Sequence, residues 1–335
     1  MYDKILGCLV GASSGDAMGA ATETRTDEQI KELFGGEVRT FLTPPDDVFA
    51  RGNKAGQVTD DFSLAYISMK TIIQMGAINS ETSKQTLIRW GSDSNPYFRM
   101  AGPTTKAMID KLKNSMPIEK PFLTHDSSKA TNGLAMKISP LALFSHGDIN
   151  KALDITSTFG MTSHHNTIAI SAASAVAGLT AHAMNNTFSL DQFTQIAVES
   201  AEKGEKLAIE RGADIIAGPN VRRRIEFALH LVRNSISTDE CLHDLKDYIG
   251  TGILAYESVP TALALIALYP EDPMEAFYQA VNIGNDTDTM ATIVGGIIGT
   301  FYGSEIFPKN FLNLINNAND YSLEKLAKEI QIWLN

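Results

Sequence analysis

The sequence is short of several features that mark common protein classes. Its 335 residues include two cysteines, Cys8 and Cys241, with neither zinc-ligand spacing nor a disulfide framework between them. Two reduced thiols in a cytoplasmic protein are the expectation. No apolar stretch runs uninterrupted for about 18 residues, so no membrane-spanning helix is expected. The apolar run around Cys8 has no charged flank or cleavage site of a signal peptide. Positive charge is scarce: 28 Lys and Arg stand against 39 Asp and Glu, for a net charge of −11 and no basic stripe. That weighs against nucleic-acid binding through a basic surface and against an anionic membrane as partner. Strand signals are nearly absent as well, with no sustained period-2 alternation and no hairpin turn between strand-like runs.

What the sequence has instead is helical periodicity. Hydrophobic residues make up 44% of the chain, ample for a large core. Within residues 5–23, Gly7, Gly11, Gly15 and Gly19 recur every four positions. On a helix they form one face without side chains, along which a neighbour can approach closely. Each glycine costs about 1 kcal/mol of helix propensity, which packing or function must offset. Asp16 interrupts this run and needs a partner if buried. Residues 24–58, with Gly35-Gly36 and Pro44-Pro45, read as loop-rich, with little regular structure from Thr43 to Val58, the kind of segment that often forms a lid or binding loop. Helical spacing returns over 62–73, 82–90 and from Thr104, a candidate cap. It continues over 134–144, where Pro140 breaks it, from near Lys151, and from Thr167 to about Met184. Further helices are expected over 189–211, 220–233, 255–268, 274–282 and 323–333. The predicted fold class is all-α, a single large multi-helical orthogonal bundle forming one domain over 1–335.

Two short stretches concentrate oxygen-bearing side chains. Thr59-Asp60-Asp61 precedes the apolar Phe62–Ile67 run, and Gly284-Asn285-Asp286-Thr287-Asp288-Thr289 precedes the glycine-punctuated run to Gly303. Either could be an N-cap, accepting hydrogen bonds from free amides and complementing the helix dipole. Both carry more oxygen donors than one cap uses, and the helices they open are apolar enough to be buried. Unpaired buried carboxylates are costly, and a cation resolves that cost. Oxygen-only donors suit Mg²⁺, Mn²⁺ or Ca²⁺ rather than zinc, and this many carboxylates suit two ions sharing a bridge. The expectation is that the two stretches meet in space around divalent metal. Glu23, two helical turns beyond Asp16, is either a third contributor or a surface residue before the loop.

These blocks resemble the ADP-ribosylglycohydrolase family in order along about residues 5–310. Gly15-Asp16-Ala-Met-Gly-Ala-Ala-Thr-Glu23 is similar to the family's opening block, and Thr59-Asp60-Asp61 to its first metal motif. Asn132-Gly133 through Pro140-Leu141 resembles a Gly-Asn-Gly block. Ser163-His164 resembles a Thr-His pair, and Glu257-Ser-Val-Pro260 a Glu-Ser-Leu-Pro block. Gly284 through Gly303 resembles the second metal motif. The resemblance implies an all-α hydrolase with two Mg²⁺ or Mn²⁺ ions that cleaves the bond between ribose C1″ and an acceptor side chain. Its substrate would be an ADP-ribosylated protein or a small ADP-ribosyl compound. It implies metal contacts from Thr59, Asp60, Asp61, Asp286, Asp288 and Thr289. Asn132, Gly133 and His164 would border the ADP-ribose cleft, and Glu23 would lie near the substrate. The water's proton could pass to Asp61, Asp288 or Glu23. Thr131 departs from the family's usual glycine, and Lys137 replaces a common arginine, losing bidentate pairing if that position contacts substrate. Segments 43–58 and 91–103 are individual to this chain and are expected to select the acceptor.

Other residues carry weaker signals. His125, His146, His165, His182, His230 and His243 read as structural or surface. Arg222-Arg223-Arg224 is a solvated helix face or a diphosphate grip. Tyr97, Phe98 or Tyr256 could sandwich an adenine, and Trp90 and Trp333 read as core or interface anchors. Two alternatives to the leading function remain: an N-glycoside hydrolase acting on a different nucleoside-type substrate, and a non-catalytic, crystallin-like structural member of the same fold.

Overall fold

A computed structural model describes residues 1–92, 94–114 and 126–335; His125, and Asp93 within segment 91–103, lie outside the described residues. The chain forms α1 (Tyr2–Gly19), α2 (Asp27–Phe34), α3 (Asp60–Met75), α4 (Ser80–Trp90), α5 (Pro103–Lys113), α6 (Ile138–Ala142), α7 (Ile149–Ser163) and α8 (Thr167–Asn185). It continues with α9 (Leu190–Glu210), α10 (Val221–Asn234), α11 (Thr238–Asp244), α12 (Ala255–Leu268), α13 (Pro273–Asn282), α14 (Thr287–Tyr302), α15 (Phe311–Asn319) and α16 (Leu323–Leu334). Among the described residues there is no β-strand, only three isolated bridges. The all-α expectation holds. One hydrophobic core runs from Ile5 in α1 to Ile330 in α16.

The contact that organises this core joins the first helix to one near the end of the chain. The side-chain-free face of α1 lies on that of α14, and the two run antiparallel. A Cβ at Gly7, Gly11 or Gly15 would strike the carbonyl oxygen of Gly299, Gly295 or Ala291, and one at Gly19 would strike the backbone of Asp288. The reverse holds too: a Cβ at Gly295 or Gly299 would meet the carbonyls of Gly11 and Gly7. The propensity lost at these glycines is thus offset by backbone-to-backbone packing no other residue allows. The antiparallel sense sets the C-terminal end of α1 beside the N-terminal end of α14.

Several boundaries differ from expectation, each for a local reason. α1 stops at Gly19, so Glu23 lies beyond the helix; a turn follows, and Thr24 takes the left-handed region at φ 64°. The loop-rich segment over 24–58 contains α2, opened by a capping box between Thr26 and Gln29 and closed by left-handed Gly35. The cap of α5 is Gly102 with Pro103 in the first turn, not Thr104. Two further helices, α11 and α15, lie outside the expected set: α11 has few apolar positions, and α15 is short and rich in asparagine. Pro140 sits inside the short α6, with 3₁₀ turns on either side. α8 is long and apolar enough by length and composition to cross a membrane, although its hydrophobic run is interrupted; 94% of that window is buried inside the fold.

Gly11→Ala should lower unfolding free energy by about 1–3 kcal/mol, the usual cost of forcing atoms into a closed contact. Urea titration of the variant checks this, and an unchanged midpoint would show that α1 and α14 do not touch through backbone.

Candidate active site

Two helix N-termini meet where α1 ends. At the start of α3, Thr59 is the N-cap, its hydroxyl accepting from the amide of Asp61 at 3.3 Å. The stronger cap comes from another helix. Asp16, fully buried on α1, accepts hydrogen bonds from the amides of Thr59 (2.8 and 3.0 Å to its two oxygens) and Phe62 (2.8 Å). That carboxylate satisfies free amides at the positive end of α3, which supplies the partner its burial demands. At the start of α14, the Asp288 carboxylate accepts from the amide of Thr289 at 2.9 Å. Thr289 then donates its hydroxyl to Asp61 Oδ2 at 3.0 Å, a direct bond between stretches 228 residues apart.

The loop before α14 is locked from the other side. Gly284 and Asn285 both lie at positive φ, 97° and 65°, conformations that glycine and asparagine tolerate best. Thr24 donates its amide to the Asn285 carbonyl at 2.7 Å, and Asn285 returns one to the Arg25 carbonyl at 2.8 Å. This pairing carries Glu23 in beside the acidic stretches, where it is 6% exposed and accepts from the Ala50 amide at 3.2 Å. On the third side, Asn132 donates to the Asp286 carboxylate and to Ser258 Oγ, and its own amide donates to the Ile253 carbonyl at 2.9 Å. Gly133 lies under the His164 ring: a Cβ there would fall 2.6 Å from Nε2. Asp60 and Asp286 are half-buried, while Thr59, Asp61, Asp288 and Thr289 are buried.

Burial and crowding raise every carboxyl here. Desolvation pushes Asp16, Glu23 and Asp60 up to about 7. Asp61 and Asp288 go well above the usual range, first through burial and then through neighbouring carboxylates. Asp286 is raised by burial against the pull of its hydrogen bonds, that from Asn132 included. One buried cation faces the cluster. Lys137, 2% exposed, has its ammonium lowered to about 8 by desolvation, an effect opposed by the charges of Asp60 and Asp61.

The six residues expected at metal comprise four carboxylates and two hydroxyls, a hard-cation donor set. Among the described residues, no three His, Cys, Asp or Glu side chains are arranged to hold one ion together. The donor chemistry and the mutual repulsion of these carboxylates nevertheless fit divalent cations, which would relieve that repulsion.

Reading the residues alone left two features unassigned: the partner of Asp16, and the place of Lys137 in the interior. Lys137 within an otherwise apolar block was the available signal. Other candidates go elsewhere. Arg222 and Arg223 pair with Glu202 and Glu226, and Arg224 donates to the carbonyls of Tyr248, Ile249 and Tyr256. The run braces α10 rather than gripping a diphosphate. Tyr97 is buried, with its hydroxyl 3.0 Å from Asn319 Oδ1, and Phe98 packs edge-on to Trp90, so both serve the core rather than an adenine. Trp90 is fully buried with Nε1 3.0 Å from Ser63 Oγ, and Trp333 packs edge-on to Phe144.

Comparison with known proteins identifies the class. The ADP-ribosylglycohydrolase family matches residues 1–334. The chain belongs to that family, which supports a glycohydrolase of ADP-ribosyl linkages. Among individual relatives, it is 27% identical over 304 residues to uncharacterized protein YegU of Escherichia coli, covering 90% of this chain and 88% of that one. It is 23% identical to ADP-ribosylarginine hydrolase Tri1 of Pseudomonas putida (98% and 78% covered) and to ADP-ribosylhydrolase ARH3 of Bos taurus (92% and 87%). A solved ADP-ribosylglycohydrolase-related protein complex has the same fold, with TM-score 0.71, 22% identity, and 100% and 99% of the chains covered.

The raised carboxyls make metal-free stability depend on pH with a definite sign. Asp16, Glu23 and Asp60 bind protons up to about 7 in the folded state, against 3.8–4.5 as free side chains. Between those values the folded chain holds more protons than the unfolded one, so stability falls as pH rises. The melting temperature of chelator-treated protein should therefore drop between pH 5 and about pH 7. A rise over that range would mean these carboxyls are already ionised.

Proposed function

We propose that this protein is a metal-dependent hydrolase that cleaves the glycosidic bond at ribose C1″ of ADP-ribosylated side chains or small ADP-ribosyl compounds. The observation that carries the reading is the Thr289–Asp61 hydrogen bond, which joins the two acidic motifs inside one buried pocket of charge. Family membership supports the same chemistry.

Thr59, Asp60, Asp61, Asp286, Asp288 and Thr289 are the residues that would hold two Mg²⁺ or Mn²⁺ ions. Bound there, such ions would supply Lewis acidity toward the ribose hydroxyls and an attacking water. The rest is the work of the chain's own groups. The clustered carboxylates favour positive charge, and departure from C1″ develops an oxocarbenium-like centre that they stabilise. The water's proton would pass to one of three carboxylates, Glu23, Asp61 or Asp288. Asn132 fixes one oxygen of Asp286. Gly133 has no side chain, which lets the His164 ring lie against the Asn132-Gly133 backbone. Two buried free thiols, Cys8 and Cys241, support a cytoplasmic setting.

The test is a metal-replete assay against arginine-linked and serine-linked ADP-ribose. Asp286→Ala and Asp288→Ala should each lower turnover by about 10²–10³-fold or more, with the helical circular-dichroism spectrum retained. Full activity in either variant, or release of free ribose in place of ADP-ribose, would overturn the assignment.

A further inference from the structure

Lys137 is a buried ammonium with three protons and, among the described residues, one hydrogen bond, to Ser163 Oγ at 3.4 Å. Ser163 Oγ has two further neighbours. It donates to the Phe159 carbonyl one turn back at 3.1 Å, and it lies 3.0 Å from His164 Nδ1. A hydroxyl has one proton to give and two lone pairs. With its proton on Phe159 and one lone pair facing the Lys137 ammonium, the remaining lone pair can only accept. The bond to His164 therefore runs from Nδ1–H to Oγ. In a neutral imidazole, a proton on Nδ1 leaves Nε2 as a bare acceptor. That nitrogen makes no hydrogen bond among the described residues, and it faces Gly133, beside the Asn132 that holds Asp286.

We propose that Ser163, its hydroxyl proton held by the Phe159 carbonyl, is a positioning residue that fixes His164 as the Nδ1–H tautomer, so that Nε2 presents a lone pair to the ligand beside the Asn132-Gly133 loop. The group it receives is then a hydrogen-bond donor, a hydroxyl or an N–H, and not a phosphate oxygen. The proposal rests on the reading of this cleft as a ligand site only for that last consequence; the tautomer itself is a property of the free protein. Electrostatics point the same way. Burial and the Lys137 charge hold His164 down to about 3, so the ring stays neutral and one of its nitrogens must be unprotonated. The Lys137 ammonium occupies a lone pair of Ser163 Oγ and not its proton, so removing it leaves the hydroxyl directed at the Phe159 carbonyl.

The test is long-range ¹H–¹⁵N correlation spectroscopy of the histidine rings in the full-length, ligand-free protein, with His164 assigned by His164→Asn. The wild type should show a neutral ring protonated on Nδ1. Ser163→Ala should shift the ring to a mixture containing at least about one-third Nε2–H, and Lys137→Met should leave the wild-type pattern unchanged. An Nε2–H ring in the wild type overturns the proposal, as does an unchanged ring in Ser163→Ala. Ser163→Ala removes one oxygen, so it decides the matter even if Lys137→Met fails to fold. Because no substrate is present, these results stand apart from whether the protein cleaves ADP-ribose.

Discussion

α1 and α14 can lie with their backbones in contact only because glycine or alanine occupies the facing positions: Gly7 against Gly299, Gly11 against Gly295, Gly15 against Ala291. Everything at the candidate active site depends on that approach. Its antiparallel sense brings Gly19 onto Asp288, which leaves Glu23 and Asp16 a turn or so from the mouth of α14. A single methyl at the middle of the stripe would collide with the facing backbone, so the two helices would have to separate. Packing of this kind is rigid because it has no rotamers to adjust.

On that frame the carboxylates divide their labour. Asp16 is consumed entirely by the amides at the start of α3, so it holds Thr59, Asp60 and Asp61 in place rather than facing a ligand. Asp61 and Asp288 are tied through Thr289. Asp286 is steered by Asn132, and Glu23 is carried in by the backbone pairing of Thr24 and Arg25 with Asn285. The outcome is a concentration of negative charge that the fold tolerates only with partial protonation or a counter-cation. Lys137 supplies one positive charge from the interior, less than the cluster carries.

Much of this was legible from residue types and spacing. The four-residue glycine period announced a close helix contact, although not its partner, because nothing local to residues 7–19 points to residues 288–299. The acidic stretches declared their chemistry through surplus oxygen donors, and the structure brings them together as that surplus suggested. What stayed hidden depended on long-range geometry. The role of Asp16 required knowing that the first turn of α3 lies over it. The Arg222–Arg224 run left a solvated helix face and a diphosphate grip both open, and its guanidinium groups are spent on Glu202, Glu226 and three carbonyls. α2 was missed although its capping box is written in Thr26 and Gln29, since the glycines and prolines downstream dominated that segment.

The pairing of α1 with α14 also has a bearing on how the molecule is made. During synthesis α1 emerges first, and its partner leaves the ribosome some 270 residues later, on the order of 10–60 seconds at ordinary elongation rates. For that interval the glycine face has nothing to lie against, and Asp16 can engage α3 alone. The nascent chain must therefore shelter its own beginning until its end arrives, and no truncated translation product lacking α14 can hold an assembled centre. Premature termination would give an inert chain rather than a partly active one.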